Sequence, residues 1–199
     1  MDARGRLIFY YGPMGAGKST FALQTQFNQR QRGRQGILIT MRDRSGASKV
    51  TSRIGLESAA ELIDDSTDVG TLITDRHEQA PLDYAIVDEA QFLTAPQVEQ
   101  LAQIVDDEAV DVFTFGLLTD FRSTLFPGAA RLVELADEVH RMQSIVLCWC
   151  GTPAFLNARV VDGRVVRDGD VVAVGDTTSG PVMYQALCRK HFIDGRIHR

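Results

Sequence analysis

The chain has 199 residues, 44% of them hydrophobic, and a formal net charge of −5. That length suits one domain of ordinary size, or one with a small appendage, and the negative balance provides no chain-wide positive field for nucleic acid or an anionic membrane. No apolar run approaches the ~20 residues that cross a bilayer and the N-terminus lacks a signal peptide's apolar core, so a soluble cytoplasmic protein is expected.

The first candidate strand, over 7–11, runs into Gly12-Pro13-Met14-Gly15-Ala16-Gly17-Lys18-Ser19, and a helical stretch follows over 19–32. Strand, glycine loop and helix in that order are the context in which G-x-x-x-x-G-K-[ST] wraps nucleotide phosphates. Glycines let backbone N–H groups converge on anionic oxygens, and the helix N-terminus adds positive potential. Lys18 would reach the β- and γ-phosphates, and the Ser19 hydroxyl would ligate Mg²⁺. Arg30, Arg32 and Arg34 gather at the end of this helix, where a helix C-terminus favours cations.

Apolar runs predict further strands over 36–40, 69–74, 84–87, 112–116 and 144–147. Periodicity predicts helices over 57–63, 95–105 and 129–136. Their alternation is the pattern of an α/β fold with a parallel sheet flanked by helices. The polar stretch 42–53 carries no capping signal and is expected to form a mobile loop, either a solvated excursion or a cover over the nucleotide.

The run over 84–87 leads straight into Asp88 and Glu89. Beside the first strand, at the carboxyl end of the sheet, Asp88 would hold Mg²⁺ directly or through water. Glu89 is then free to accept a proton, from a substrate hydroxyl in a kinase or from water in an ATPase; these residues leave both open. The Asn-Lys-x-Asp element of guanine-specific switches is absent, because neither Asn28 nor Asn157 is followed by lysine. His77 and His140 have no partner in sequence and read as surface histidines.

From about residue 143 the character changes. Val160-Val161-Asp162-Gly163-Arg164-Val165-Val166 predicts a hairpin with Asp-Gly at its turn. A segment rich in Gly, Asp, Thr and Ser follows over 168–181, around Val171-Val172-Ala173-Val174. Cys148 and Cys150 bracket Trp149, and Cys188 stands three residues before His191. An odd number of cysteines without a secretion signal argues against disulfides, and Cys and His in two close pairs argue for a metal. The expected division is 1–142 for nucleotide binding and 143–199 for a metal-anchored unit.

Four segments, Gly12-Pro13-Met14-x-x-Gly17-Lys18-Ser19, Asp88-Glu89-x-Gln91-Phe92, Gly116-Leu117-x-Thr119-Asp120-Phe121-Arg122-x-x-x-Phe126 and Cys188-Arg189-Lys190-His191, resemble in order and spacing the type II thymidine kinases. The resemblance covers roughly residues 7–192. It implies a RecA-like phosphate-loop sheet flanked by helices, a small zinc-binding lasso domain and a homotetramer. It also implies transfer of the ATP γ-phosphoryl group to the 5′-hydroxyl of thymidine or deoxyuridine, with dTTP as feedback inhibitor.

Carried onto this chain, Glu89 matches the catalytic base, and residues 12–19 with Asp88 and Gln91 match the ATP site. Ser19 and Asp88 fall on the magnesium side. Met14, Phe92, Leu117, Phe121 and Phe126 match the nucleoside pocket, and Tyr184 the residue that closes over the substrate. Val171, Val172, Ala173, Val174 and Gly175 match the lasso backbone that reads the thymine edge. Cys148, Cys150, Cys188 and His191 would form a Cys₃His set typical of structural zinc.

Two departures stand out. Cys148 and Cys150 are separated by one residue where many relatives have two; in a straight strand i and i+2 share a face, so both could still meet one ion. The segment 176–181 is longer than the family's glycine-rich turn, and Pro181 removes an N–H donor. A phosphate-loop ATPase using Glu89 on water, and a zinc-ribbon adaptor that binds nucleotide without turnover, are the alternatives.

Overall fold

Strands made of near-continuous Ile, Val, Leu and Phe are stable only where both faces are covered, and the central sheet is built that way. The computed structural model describes residues 4–41, 48–143, 145–169 and 182–198. Six strands form this sheet: β1 (Leu7–Tyr11), β2 (Gly36–Met41), β5 (Glu61–Ile63), β6 (Tyr84–Asp88), β7 (Asp111–Gly116) and β8 (Glu138–Arg141). Their order is β5-β2-β6-β7-β1-β8, and every pairing is parallel. A short antiparallel hairpin of β3 (Lys49–Thr51) and β4 (Glu57–Ala59) precedes β5.

Alternate residues along the strands point to opposite faces. Leu7, Phe9, Ile39, Val87 and Val112 pack under α2 (Val69–Gln79), α3 (Ala95–Asp107) and α4 (Pro127–Leu135). Ile8, Leu38, Ile86, Phe113 and Phe115 pack with Ala22 and Leu23 of α1 (Lys18–Gln31). α3 starts on a capping box in which Thr94 and Gln97 satisfy each other's backbone N–H groups.

Several expectations change. Residues 69–74 are helical: Asp68 caps α2 by accepting from the Thr71 N–H at 2.8 Å, and Val69 and Ile73, four apart, bury one face. Residues 57–63 are two strands instead of a helix; β4 pairs with β3, and β5 adds to the sheet edge beside β2, so pairing overrides local helix preference. Of the strand expected over 144–147, residue 144 lies outside the described residues. Ile145 and Leu147 are exposed, and among the described residues there a single bridge forms, Leu147 to Pro153. The loop expected over 42–53 becomes strand from Lys49, with 42–47 outside the described residues. Finally, β6 is not beside β1: β7 lies between them.

The acidic end of β6 reaches the glycine loop across the end of β7, and Gly116 makes that crossing possible. A Cβ at Gly116 would lie 2.8 Å from Gln91 Oε1 and 2.9 Å from the Gln91 nitrogen. After β8 the chain builds an antiparallel sheet, β10-β9-β11, from β9 (Leu156–Val161), β10 (Arg164–Val166) and β11 (Val182–Leu187), followed by α5 (Arg189–Asp194). The expected Asp-Gly hairpin is present, with Asp162 and Gly163 both at positive φ, 48° and 73°. Ala154, Ala158, Leu187 and Phe192 form a small separate core there with Cys148 and Cys188.

α4 seats on the Ala90–Phe92 turn through Gly128, where a Cβ would collide with the carbonyls of Leu93, Ala90 and Gln91. Those neighbours are backbone and cannot rotate away. Gly128→Ala is therefore expected to lower stability by about 2 kcal/mol in urea unfolding, the cost of forcing α4 off its seat.

Candidate active site and metal centre

The loop after β1 has the backbone its glycines permit. Gly15 and Gly17 sit at φ 82° and 77°, a left-handed conformation that L side chains rarely adopt, and Gly17 caps α1 without any side-chain acceptor. Lys18 folds back so that its Nζ donates to the carbonyls of Gly12 (3.2 Å) and Pro13 (3.1 Å). Burial holds the Lys18 ammonium below the usual lysine range, and Arg53 pushes it the same way; Glu89 and Asp88 oppose this.

Asp88 closes β6 at 4% exposure. Burial raises its carboxyl from 3.8 to about 6, with the Glu89 charge adding to the rise. Hydrogen bonds from the Ser19 side chain and the Glu89 backbone, and the Lys18 charge, act in the other direction. Among the described residues, the buried Asp88 Oδ1 meets no hydrogen-bond partner. An orphaned carboxylate oxygen beside a serine hydroxyl at the mouth of a glycine loop fits a divalent cation such as Mg²⁺.

Glu89 follows with φ 55° and ψ 33°, left-handed for a residue that pays about 1–3 kcal/mol to be there. Its side chain is fixed by a neighbour: Gln91 Nε2 donates to Glu89 Oε2 at 2.6 Å, and Gln91 Oε1 accepts the Leu117 N–H at 2.9 Å. Gln91 is itself 1% exposed. A cavity of about 460 Å³ joins Met14, Lys18, Ser19, Glu89 and Leu117 to the turn that links β3 and β4. Arg53 in that turn lines the same cavity together with Thr51 and Ser52, so residues 51–53 of the expected loop form one of its walls.

The aromatic residues matched to the nucleoside pocket lie mostly beneath the surface. Phe92 meets Phe126 edge to face at 5.6 Å, and Phe126 is in the main core. Phe121 is 2% exposed, with the Arg159 guanidinium 3.6 Å above its ring. Arg159 also donates from Nε to the Tyr184 hydroxyl at 3.0 Å. Met14 and Leu117 face the cavity directly. Residues 171–175, expected to read the base, lie outside the described residues, as do 176–181.

Cys148, Cys150, Cys188 and His191 converge, their donor atoms all within 4.8 Å of one another. His191 Nδ1 is 3.5 Å from Cys148 Sγ and 3.4 Å from Cys188 Sγ, and the thiols of Cys150 and Cys188 are 4.0 Å apart. A tetrahedral zinc with Zn–S of ~2.3 Å and Zn–N of ~2.0 Å has S–S edges of about 3.8 Å and S–N edges of about 3.5 Å, so the donor set fits zinc. Cys148 and Cys150 reach it from a tight turn instead of the straight strand expected, closed by the Gly151 N–H donating to the Cys148 carbonyl at 2.8 Å. Trp149, between them, stacks on the His191 ring at 4.1 Å.

Glycine loop, buried acid, strained glutamate and zinc-type cluster occupy one chain in the order that the resemblance required. A family model described as thymidine kinase matches residues 5–192. The chain belongs to the thymidine kinase family. It is 50% identical over 191 residues to a thymidine kinase of Cutibacterium acnes, covering 95% of this chain and 88% of that protein. A Streptomyces coelicolor thymidine kinase is 48% identical over 93% of this chain and 87% of its own length. One from Shewanella oneidensis is 41% identical over 94% and 96% respectively.

Sequence reasoning passed over three residues of the site in this thymidine kinase family member. Asn157 and Arg159 are polar, 4% exposed, and two apart on β9, so they share the face turned toward the phosphate loop and Phe121. Their alternation within the apolar run 156–161 was the available signal. Arg53 had no signal beyond its charge. His77 and His140 have partners after all: His77 Nδ1 accepts the Leu82 N–H, and His140 pairs with Glu138 and stacks on Tyr10.

Two outcomes follow from this geometry. The folded value of Asp88 lies above that of the unfolded chain, so the folded state retains a proton that the unfolded chain has lost, and stability falls as pH rises from about 4 to 6. In magnesium-free buffer, Asp88→Asn is therefore expected to raise the thermal midpoint at pH 7 and to leave it nearly unchanged at pH 4. Elemental analysis is expected to find about one zinc per chain, and Cys188→Ser to lose most of it.

Proposed function

We propose that this chain transfers the γ-phosphoryl group of ATP to the 5′-hydroxyl of thymidine or deoxyuridine. The observation that carries the reading is Glu89, left-handed in its backbone and with its carboxylate fixed by Gln91, on the wall of the cavity that contains Lys18 and Ser19. A carboxylate placed there serves a nucleophile that must lose a proton as it attacks phosphorus. The family of the chain supports thymidine as the owner of that hydroxyl.

In this reading the N–H groups of the glycine loop and the Lys18 ammonium bind the β- and γ-phosphates and stabilise charge as it develops. The nucleoside O5′ forms a bond to Pγ, the bond from Pγ to the bridging oxygen breaks, ADP leaves, and the hydroxyl proton passes to Glu89. Magnesium bound through Ser19 and Asp88 would neutralise phosphate charge. Arg159 positions Tyr184 and Phe121, which line the nucleoside side, and the Cys₃His cluster anchors residues 143–199 as a unit closing that side. Feedback inhibition by dTTP, a homotetramer and a cytoplasmic location belong to the same reading.

Incubation with labelled ATP and thymidine tests it. Thymidine monophosphate is the expected product; phosphate release that does not depend on thymidine would indicate an ATPase, and nucleotide binding without either product an adaptor. Glu89→Gln is expected to lower kcat by about 10²–10⁴-fold with ATP affinity largely retained, measured by steady-state kinetics and direct titration.

A further inference from the structure

The N–H groups of the phosphate loop can be accounted for one by one. The Gly12 N–H donates to the Gly116 carbonyl at 3.3 Å, the Ala16 N–H donates to the Pro13 carbonyl at 3.2 Å, and Pro13 has none. Among the described residues, the N–H groups of Gly15, Gly17, Lys18 and Ser19 meet no acceptor, and these are the groups available to phosphate oxygens. Met14 differs from both sets. Its N–H leaves the loop and donates to Asn157 Oδ1 at 2.8 Å, across 143 residues of sequence.

The acceptor is rigidly mounted. Asn157 is 4% exposed and lies opposite Ala186 in the β9–β11 ladder. β11 ends at Leu187, next to the cluster residue Cys188. The base of the loop is packed, with Ala16 at 1% exposure and Gly12 close against Ala16 and Met142, but its outer turn is not: a Cβ built at Gly15 or Gly17 would meet nothing within 4 Å. Hydrogen bonds therefore hold that outer turn, and the bond from Met14 to Asn157 ties it to the antiparallel sheet.

We propose that Asn157 is a positioning residue for nucleotide binding. By taking the Met14 N–H outward it holds the loop so that the N–H groups of Gly15, Gly17, Lys18 and Ser19 stay aimed at the triphosphate. A loop already in its binding shape loses less freedom when ATP arrives, and that difference appears as ATP affinity. The inference rests on the reading of residues 12–19 as the ATP site.

Asn157→Leu keeps the number and branching of the side-chain heavy atoms and removes the acceptor. Its Met14 N–H is expected to exchange with solvent at least tenfold faster by NMR, and its ATP Kd and ATP KM to rise about tenfold, the effect of one buried donor left unpaired. Zinc content is expected to stay as in the unmodified protein, and thymidine KM to rise less than ATP KM, since Met14 also faces the nucleoside side. Asn157→Asp retains an acceptor oxygen, so slow Met14 exchange is expected to persist in it. ATP binding by Asn157→Leu equal to that of the unmodified protein, a parallel loss of thymidine and ATP affinity, or fast Met14 exchange in Asn157→Asp would each overturn the role of Asn157. Absence of ATP binding in the unmodified protein would instead strike the nucleotide-site reading, and the inference with it.

Discussion

Gln91 uses both ends of one carboxamide, its nitrogen on Glu89 and its oxygen on the Leu117 amide, and the geometry of the site depends on that bridge. Without that bond the Glu89 carboxylate would be free to turn toward solvent, and the left-handed backbone beneath it adds a cost of its own. The bridge forms because Gly116 leaves room for it at the end of β7, and because α4 rests on the same turn through Gly128. A glycine in one strand, a glycine in one helix and an amide side chain between them thus fix the only strained acid facing the cavity among the described residues.

Charge is concentrated around that bridge. Asp88 and Lys18 are both pulled toward their neutral forms by burial, and each opposes the shift in the other. Such an arrangement is destabilising for the apoprotein, and it is what a site for a polyanion and its counter-ion requires: groups whose solvation has already been lost before the ligand arrives. Arg53, on the turn after β3, brings a further positive charge to the same cavity.

How much of this could be read from the sequence depended on the range of the interactions. The glycine loop, the apolar strand ending in Asp88, the Asp162-Gly163 turn and the Cys/His pairs are local patterns, and each is where it was expected. Short runs such as 57–63 and 69–74 depart from their local pattern, because an edge pairing with β2 decides the one and an aspartate cap the other. The intrusion of β7 between β1 and β6 is a matter of topology, invisible to motif spacing. Asn157, Arg159 and Arg53 act across the fold, on Met14, Phe121 and the Lys18 environment, and no local pattern announces such contacts.

Trp149 is the chain's single tryptophan, and its indole stacks on His191 at 4.1 Å, inclined by 27°, with its Nε1–H donating to the Arg196 carbonyl at 3.0 Å. All indole emission from the folded protein therefore comes from a ring in contact with the one imidazole of the Cys₃His cluster. The molecule carries its own optical gauge of that cluster, and the state of the imidazole can be followed by fluorescence without attaching a dye anywhere.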